Sequence, residues 1–136
     1  ALDVVVQAQI MNLLKKLKRE LGISIILISH DLSLIAELAD KVAIMYGGKI
    51  AEIGLSEHIY LNPKHPYTQG LLGSIPRLKG EIKDLTWIPG VPPDLSNPPP
   101  GCRFAPRCKF AMEKCNREPP VVEIEKGHYV ACWLYT

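Results

Sequence analysis

A chain of 136 residues with 47% apolar side chains is long enough for one globular domain, or for a small domain carrying an extension. Sixteen basic and fourteen acidic side chains leave a net charge of +2, so bulk charge points neither to nucleic acid nor to an anionic membrane. No apolar run approaches the roughly 20 residues that span a bilayer, and residues 1–20 lack the basic-then-apolar order of a secretory signal.

A cytosolic setting is therefore expected, in which four cysteines favour metal ligation over disulfides. Asp3 is positioned to cap a helix starting near Val4. Val6, Ile10, Leu13, Leu14, Leu17 and Leu21 form its apolar stripe, and Gly22 stops it. Next, "ISIILIS", residues 23–29, predicts a parallel strand buried on both faces. Asp31 caps a second predicted helix over residues 32–39. "KVAIMYGGKIAEIG" then predicts two short strands turning at Gly47-Gly48. Helix, buried strand, helix and hairpin in this order predict an α/β layered domain.

Composition changes sharply at residue 62. All twelve prolines lie between Pro63 and Pro120. Residues 1–61 are expected to be layered, and residues 62–136 irregular, with a short helix opened by Pro66 and closed before Pro76. Tyr67, Leu71 and Leu72 would pack that helix down, Trp87 and Tyr129 would be core, and His58 and His65 are expected at the surface. His128 and Trp133 would flank the last cysteine, either packing there or supporting it as a ligand.

Two features carry chemistry. His30 stands where the predicted buried strand ends and a helix begins, the address at which open α/β sheets bind ligands. Its imidazole could hold a phosphate oxygen or a water; equally, local backbone could satisfy it. The second feature is the thiol set Cys102, Cys108, Cys115 and Cys132. Their spacing contains neither the C-x₂-C pairs of zinc ribbons nor the C-x₂-C-x₂-C run of ferredoxins. An iron–sulfur cluster, zinc, and free or disulfide-bonded thiols all remain open. Arg103, Arg107, Lys109, Lys114 and Arg117 surround the thiols and would lower their pKa values.

"ALDVVVQAQIMNLLKKLKRELGISIILISHDLSLIAELADKVAIMYGGKIAEIG" resembles the last third of an ABC-transporter ATPase domain. "HPYTQGLLGSIP" and "IPGVPPDLSNPPPGCRFAPRC" resemble the C-terminal extension of the oligopeptide/dipeptide importer subfamily. The resemblance implies the C-terminal part of a P-loop (RecA-like) ATPase over residues 1–61, followed by a small Cys/Pro-rich extension over residues 62–136. Asp3 would be the D-loop aspartate at the nucleotide sandwich, facing a second ATP-binding subunit. His30 would be the switch histidine that contacts the γ-phosphate. ATP and Mg²⁺ are implied for the parent protein, and a [4Fe-4S] cluster on the four cysteines, with zinc the alternative. The implied partners are permease subunits and, indirectly, a solute-binding protein, at the inner face of the cell membrane. Transported solutes would be peptides, nickel complexes or certain sugars. Near-neutral charge and the lack of interleaved aromatics argue against nucleic acid. A free-standing four-cysteine module without an ATPase role is the alternative reading, opposed by the helix–strand–His–helix–hairpin order.

No G-x-x-x-x-G-K-[ST] occurs, and neither do the Q-loop, the LSGGQ-type signature or the Walker B carboxylates. The chain thus holds one sensor of a nucleotide site and almost none of the site, and a strand at 23–28 would leave an edge that self-association could cover. The purified 136-residue chain is expected to show no Mg-ATP turnover above background in a phosphate-release assay; robust turnover would contradict the reading.

Overall fold

The computed structural model describes residues 3–74 and 87–136, and the described residues fall into two compact units that divide between Asp40 and Lys41. Ala1, Leu2 and Pro76 lie outside the described residues, as does the end of the "HPYTQGLLGSIP" motif beyond Ser74.

The first unit holds helix α1 (Val4–Leu21), an extended segment and helix α2 (Leu32–Leu38). Asp3 occupies the N-cap position of α1, but its side chain makes no capping bond, and Gly22 ends the helix as expected. Met11 is the buried residue of α1, whereas Val6, Ile10, Leu13 and Leu21 of the expected stripe are exposed. Lys15 pairs with Glu37, and Lys18 with Asp40, tying α1 to α2. Such partly exposed pairs contribute about 0–1 kcal/mol each.

The expected parallel strand is not formed. Residues 23–29 have no strand partner among the described residues, and Ile26 and Ile28 are 91% and 93% exposed. A strand is stable only when its N–H and C=O groups are paired, and the apolar run meets no neighbouring strand.

The second unit is built on a four-stranded antiparallel sheet of order β1-β2-β4-β3. Strands β1 (Lys41–Tyr46) and β2 (Lys49–Leu55) form the expected hairpin around Gly47-Gly48, whose φ values of 57° and 78° suit a two-residue primed turn. Val42, Ile44 and Tyr46 alternate inward along β1. Helix α3 (Ser56–Leu61) buries Ile59 completely and packs on β2 and β1; helix α4 (Pro66–Gly73) follows with Pro66 at its start.

The region expected to be irregular supplies the other half of the sheet. Strands β3 (Val121–Glu125) and β4 (His128–Ala131) form a second hairpin around Lys126-Gly127, and β4 pairs with β2 through Glu52↔Val130 and Ile53↔Tyr129. Two expected core aromatics lie outside the core, with Trp87 77% and Tyr129 38% exposed. Tyr129 points to the open face because its neighbours His128 and Val130 take the inner positions of β4.

The apolar run 23–28 generates a solution prediction. Light scattering should show concentration-dependent association of the chain, shifted toward monomer by Ile26→Ser with Ile28→Ser; a clean monomer of the unsubstituted chain at high concentration would contradict it.

Candidate functional site

The two groups of expected site residues fall in different units. In the first unit, His30 lies in a bend between the extended segment and α2, and it is exposed. Its neighbours fix the backbone. Asp31 N–H donates to Ser29 Oγ at 3.0 Å, while Asp31 Oδ1 accepts from Ser33 N–H at 2.9 Å and Leu34 N–H at 3.3 Å. The capping expected of Asp31 is thus realised, and it leaves the intervening imidazole presented to solvent. Asp3 is exposed at the start of α1.

In the second unit the four cysteines converge. Cys102, Cys108, Cys115 and Cys132 line one pocket, walled by Pro66, Phe104, Phe110, Met112, Trp133 and Leu134, with His65 at its edge. All four are free thiols and half-buried. Gly101 is one reason the loop closes here: its φ is +76°, and a Cβ would stand 2.4 Å from the Asn116 carbonyl carbon. The adjoining Cys102 N–H donates to the Cys115 carbonyl at 3.0 Å, bringing the first and third thiol segments together.

Backbone amides support the sulfurs without any C-x₂-C turn. Phe110 N–H donates to Cys108 Sγ at 3.4 Å; Cys102 receives the amides of Phe104 and Ala105, and Cys132 that of Leu134. Even so, burial pushes the Cys102, Cys108 and Cys132 thiols up from the usual value. For these three thiols the expected lowering by surrounding cations is overturned: burial is the largest effect, and two of the cations, Arg103 and Arg107, are engaged elsewhere. Arg103 bonds the Gly47 carbonyl. Arg107 donates to Pro89 O at 2.7 Å, Ile88 O at 3.2 Å and Tyr46 Oη at 3.2 Å. Lys114 and Arg117 lie over the Trp133 ring at 5.4 Å and 5.6 Å. Lys109 lowers the Cys108 thiol, and its effect is outweighed by burial.

Beside the pocket lies a buried polar group that sequence reasoning missed. Glu52, on β2, is fully buried. Its Oε1 accepts from Lys64 N–H at 2.8 Å and its Oε2 from His65 N–H at 2.9 Å, and His128 Nε2 stands 2.7 Å from Oε1. His65, expected at the surface, is 3% exposed, and its Nδ1 caps α4 by accepting from Tyr67 N–H at 3.0 Å. His128, expected to pack, is fully buried. The available signal was an acidic residue inside the apolar strand "IAEIG", where a buried charge demands partners.

Comparison with known proteins finds relatives of this chain. Residues 51–115 match the model of the oligopeptide/dipeptide transporter C-terminal region. The chain is 53% identical over 135 residues to the dipeptide transport ATP-binding protein DppD of Bacillus subtilis, covering 98% of this chain and 40% of the relative. It is 49% identical over 134 residues to the oligopeptide transport ATP-binding protein OppD of Haemophilus influenzae, covering 98% of this chain and 42% of the relative. Along 98% of its length the chain is thus similar to dipeptide and oligopeptide transport ATP-binding proteins, and it spans about two fifths of the length of these relatives. Among the described residues no helix is long and apolar enough to cross a membrane.

The buried histidine at the pocket edge yields a pH prediction. Burial pushes the His65 pKa down from 6.5 to about 4. Between those values the unfolded chain takes up a proton that the folded chain refuses, so stability falls as pH drops from about 6.5 to about 4. Thermal unfolding across this window should show a shallower pH dependence in His65→Asn, which keeps a capping acceptor; an unchanged slope would contradict the assignment.

Proposed function

We propose that this chain is part of the ATP-hydrolysing subunit of a peptide importer. The carrying observation is similarity along 98% of the chain to proteins named for dipeptide and oligopeptide transport. On this reading residues 1–61 belong to a P-loop ATPase domain and residues 62–136 to its C-terminal extension, which returns through β4 onto the hairpin of the first part. His30 contacts the γ-phosphate of ATP and orients the attacking water, while Mg²⁺ and groups beyond these residues carry most of the charge stabilisation. Its exposure on a backbone fixed by Ser29 and Asp31 suits such a role. Asp3 faces a second ATP-binding subunit, and permease subunits and a solute-binding protein complete the assembly at the cytoplasmic face of the membrane.

The four cysteines are proposed to hold a [4Fe-4S] cluster. The donor chemistry fits: four sulfurs line one apolar pocket, and backbone amides reach three of them. Ligand sulfurs on a single tetrahedral zinc stand about 3.8 Å apart. Among the described residues, no three of these sulfurs lie within 4.8 Å of one another, which favours a larger group. When bound, the cluster supplies a four-point covalent cross-link. This chain's own residues shield it with Phe104, Phe110 and Trp133, and anchor the loops through Arg103 and Arg107. The role is that of a staple for a segment with little core of its own.

Both parts are testable in the full-length subunit. His30→Ala should retain nucleotide binding while losing ATP hydrolysis by about 100-fold or more. Protein prepared without oxygen should carry iron and a brown chromophore, lost on Cys102→Ser. Unchanged hydrolysis would contradict the first assignment, and iron-free protein prepared in this way the second.

A further inference from the structure

We propose that His58, His128 and Glu125 form a binding site for a Zn²⁺-class divalent cation, separate from the four cysteines. One ligand atom from each of the three lies within 4.8 Å of the others, the one such grouping of three or more among the described residues. The Nδ1 atoms of both histidines are buried and have no hydrogen-bond partner among the described residues. Buried polar atoms are rarely left in this state, and two unpartnered imidazole nitrogens beside a carboxylate are what a cation would satisfy.

Three elements converge to make the group. His58 comes from α3, and its ring stacks on that of His128 with centroids 5.2 Å apart and planes 25° from parallel. His128 opens β4 and Glu125 closes β3, so the tight turn at Lys126-Gly127 sets them as a cross-strand pair. Gly54 makes room for the His128 ring, since a Cβ there would stand 3.1 Å from its Cδ2.

The surroundings prepare His128 for ligation. Its Nε2 lies 2.7 Å from Glu52 Oε1, and the Glu52 carboxylate is itself held by two backbone amides. Because that carboxylate is an acceptor of hydrogen bonds, a neutral His128 faces it as the Nε2–H tautomer, which leaves the Nδ1 lone pair for a ligand. A histidine that donates one ring N–H to a carboxylate and offers the other nitrogen to the ion is the usual form of a metal-ligating histidine.

Two imidazoles and one carboxylate select zinc, cobalt or nickel over calcium and magnesium, which prefer all-oxygen shells. Ligand atoms around a tetrahedral zinc stand about 3.3 Å apart. Glu125 is exposed, so its carboxylate has room to move toward the two imidazoles. Three protein ligands leave a fourth position for water.

The test uses Co²⁺ and Zn²⁺ salts with the full chain. Co²⁺ bound here shows visible d–d bands without the sulfur-to-cobalt charge-transfer absorption of thiolate sites, and Zn²⁺ displaces it. Glu125→Gln and His58→Gln should each weaken binding by more than about 100-fold, above the roughly 10–100-fold that loss of a supporting group alone causes. Circular dichroism checks that both variants fold; Glu125 is exposed, so its substitution leaves the fold intact. Absence of an N/O-ligated ion, absorption of the thiolate type only, or affinity unchanged in Glu125→Gln would each overturn the proposal.

Discussion

The second unit depends on how one buried carboxylate is satisfied. Glu52 sits in the middle of β2, fully removed from water, and three groups from two separate parts of the chain answer it: the amides of Lys64 and His65, and the imidazole of His128. Leaving a buried charge without its partners costs about 3–5 kcal/mol. A domain has only about 5–15 kcal/mol in total. The Lys64–His65 turn and the start of β4 are therefore held against β2 by a demand the fold cannot ignore.

From that constraint the rest of the unit follows. Fixing the backbone at His65 sets the start of α4, whose Tyr67 packs against Tyr46 and Phe104 with ring centroids 4.5 Å and 5.4 Å apart. Phe104 sits between Cys102 and Cys108, so the thiol loops are seated on the aromatic cluster. Fixing His128 sets the second hairpin on the edge of β2, and β4 leads directly into Cys132. Tyr135, three residues further on, donates back to the Lys64 carbonyl at 2.8 Å. The carboxylate and the four-thiol pocket thus share the same walls, and a cross-link at the thiols would reinforce what the buried charge already specifies.

Legibility in the sequence followed locality. The Gly47-Gly48 hairpin, the Asp31 cap and the Pro66 helix start could be read because each is decided within a few residues. The segment 23–29 was misread because its isoleucines report a preference, and a strand also needs neighbours. The hairpin of β3 and β4 was missed although "VVEIEKGHYV" alternates around a glycine, because proline density pointed to irregular structure. The convergence of four thiols was legible from their number. The role of the surrounding cations was not, since Arg103 and Arg107 are committed to carbonyls far away in sequence. His65 and His128 looked ordinary because the carboxylate that buries one and orients the other lies 13 and 76 residues away.

The central claim is that the Glu52 carboxylate holds the thiol pocket together, and thiol reactivity in metal-free protein tests it most directly. Modification of the four cysteines should be slow in the unsubstituted chain and at least about tenfold faster in Glu52→Leu, since even about 1.4 kcal/mol of lost stability raises the open population tenfold. Equal modification rates in the two proteins would show that the pocket stands without the carboxylate and would contradict the account.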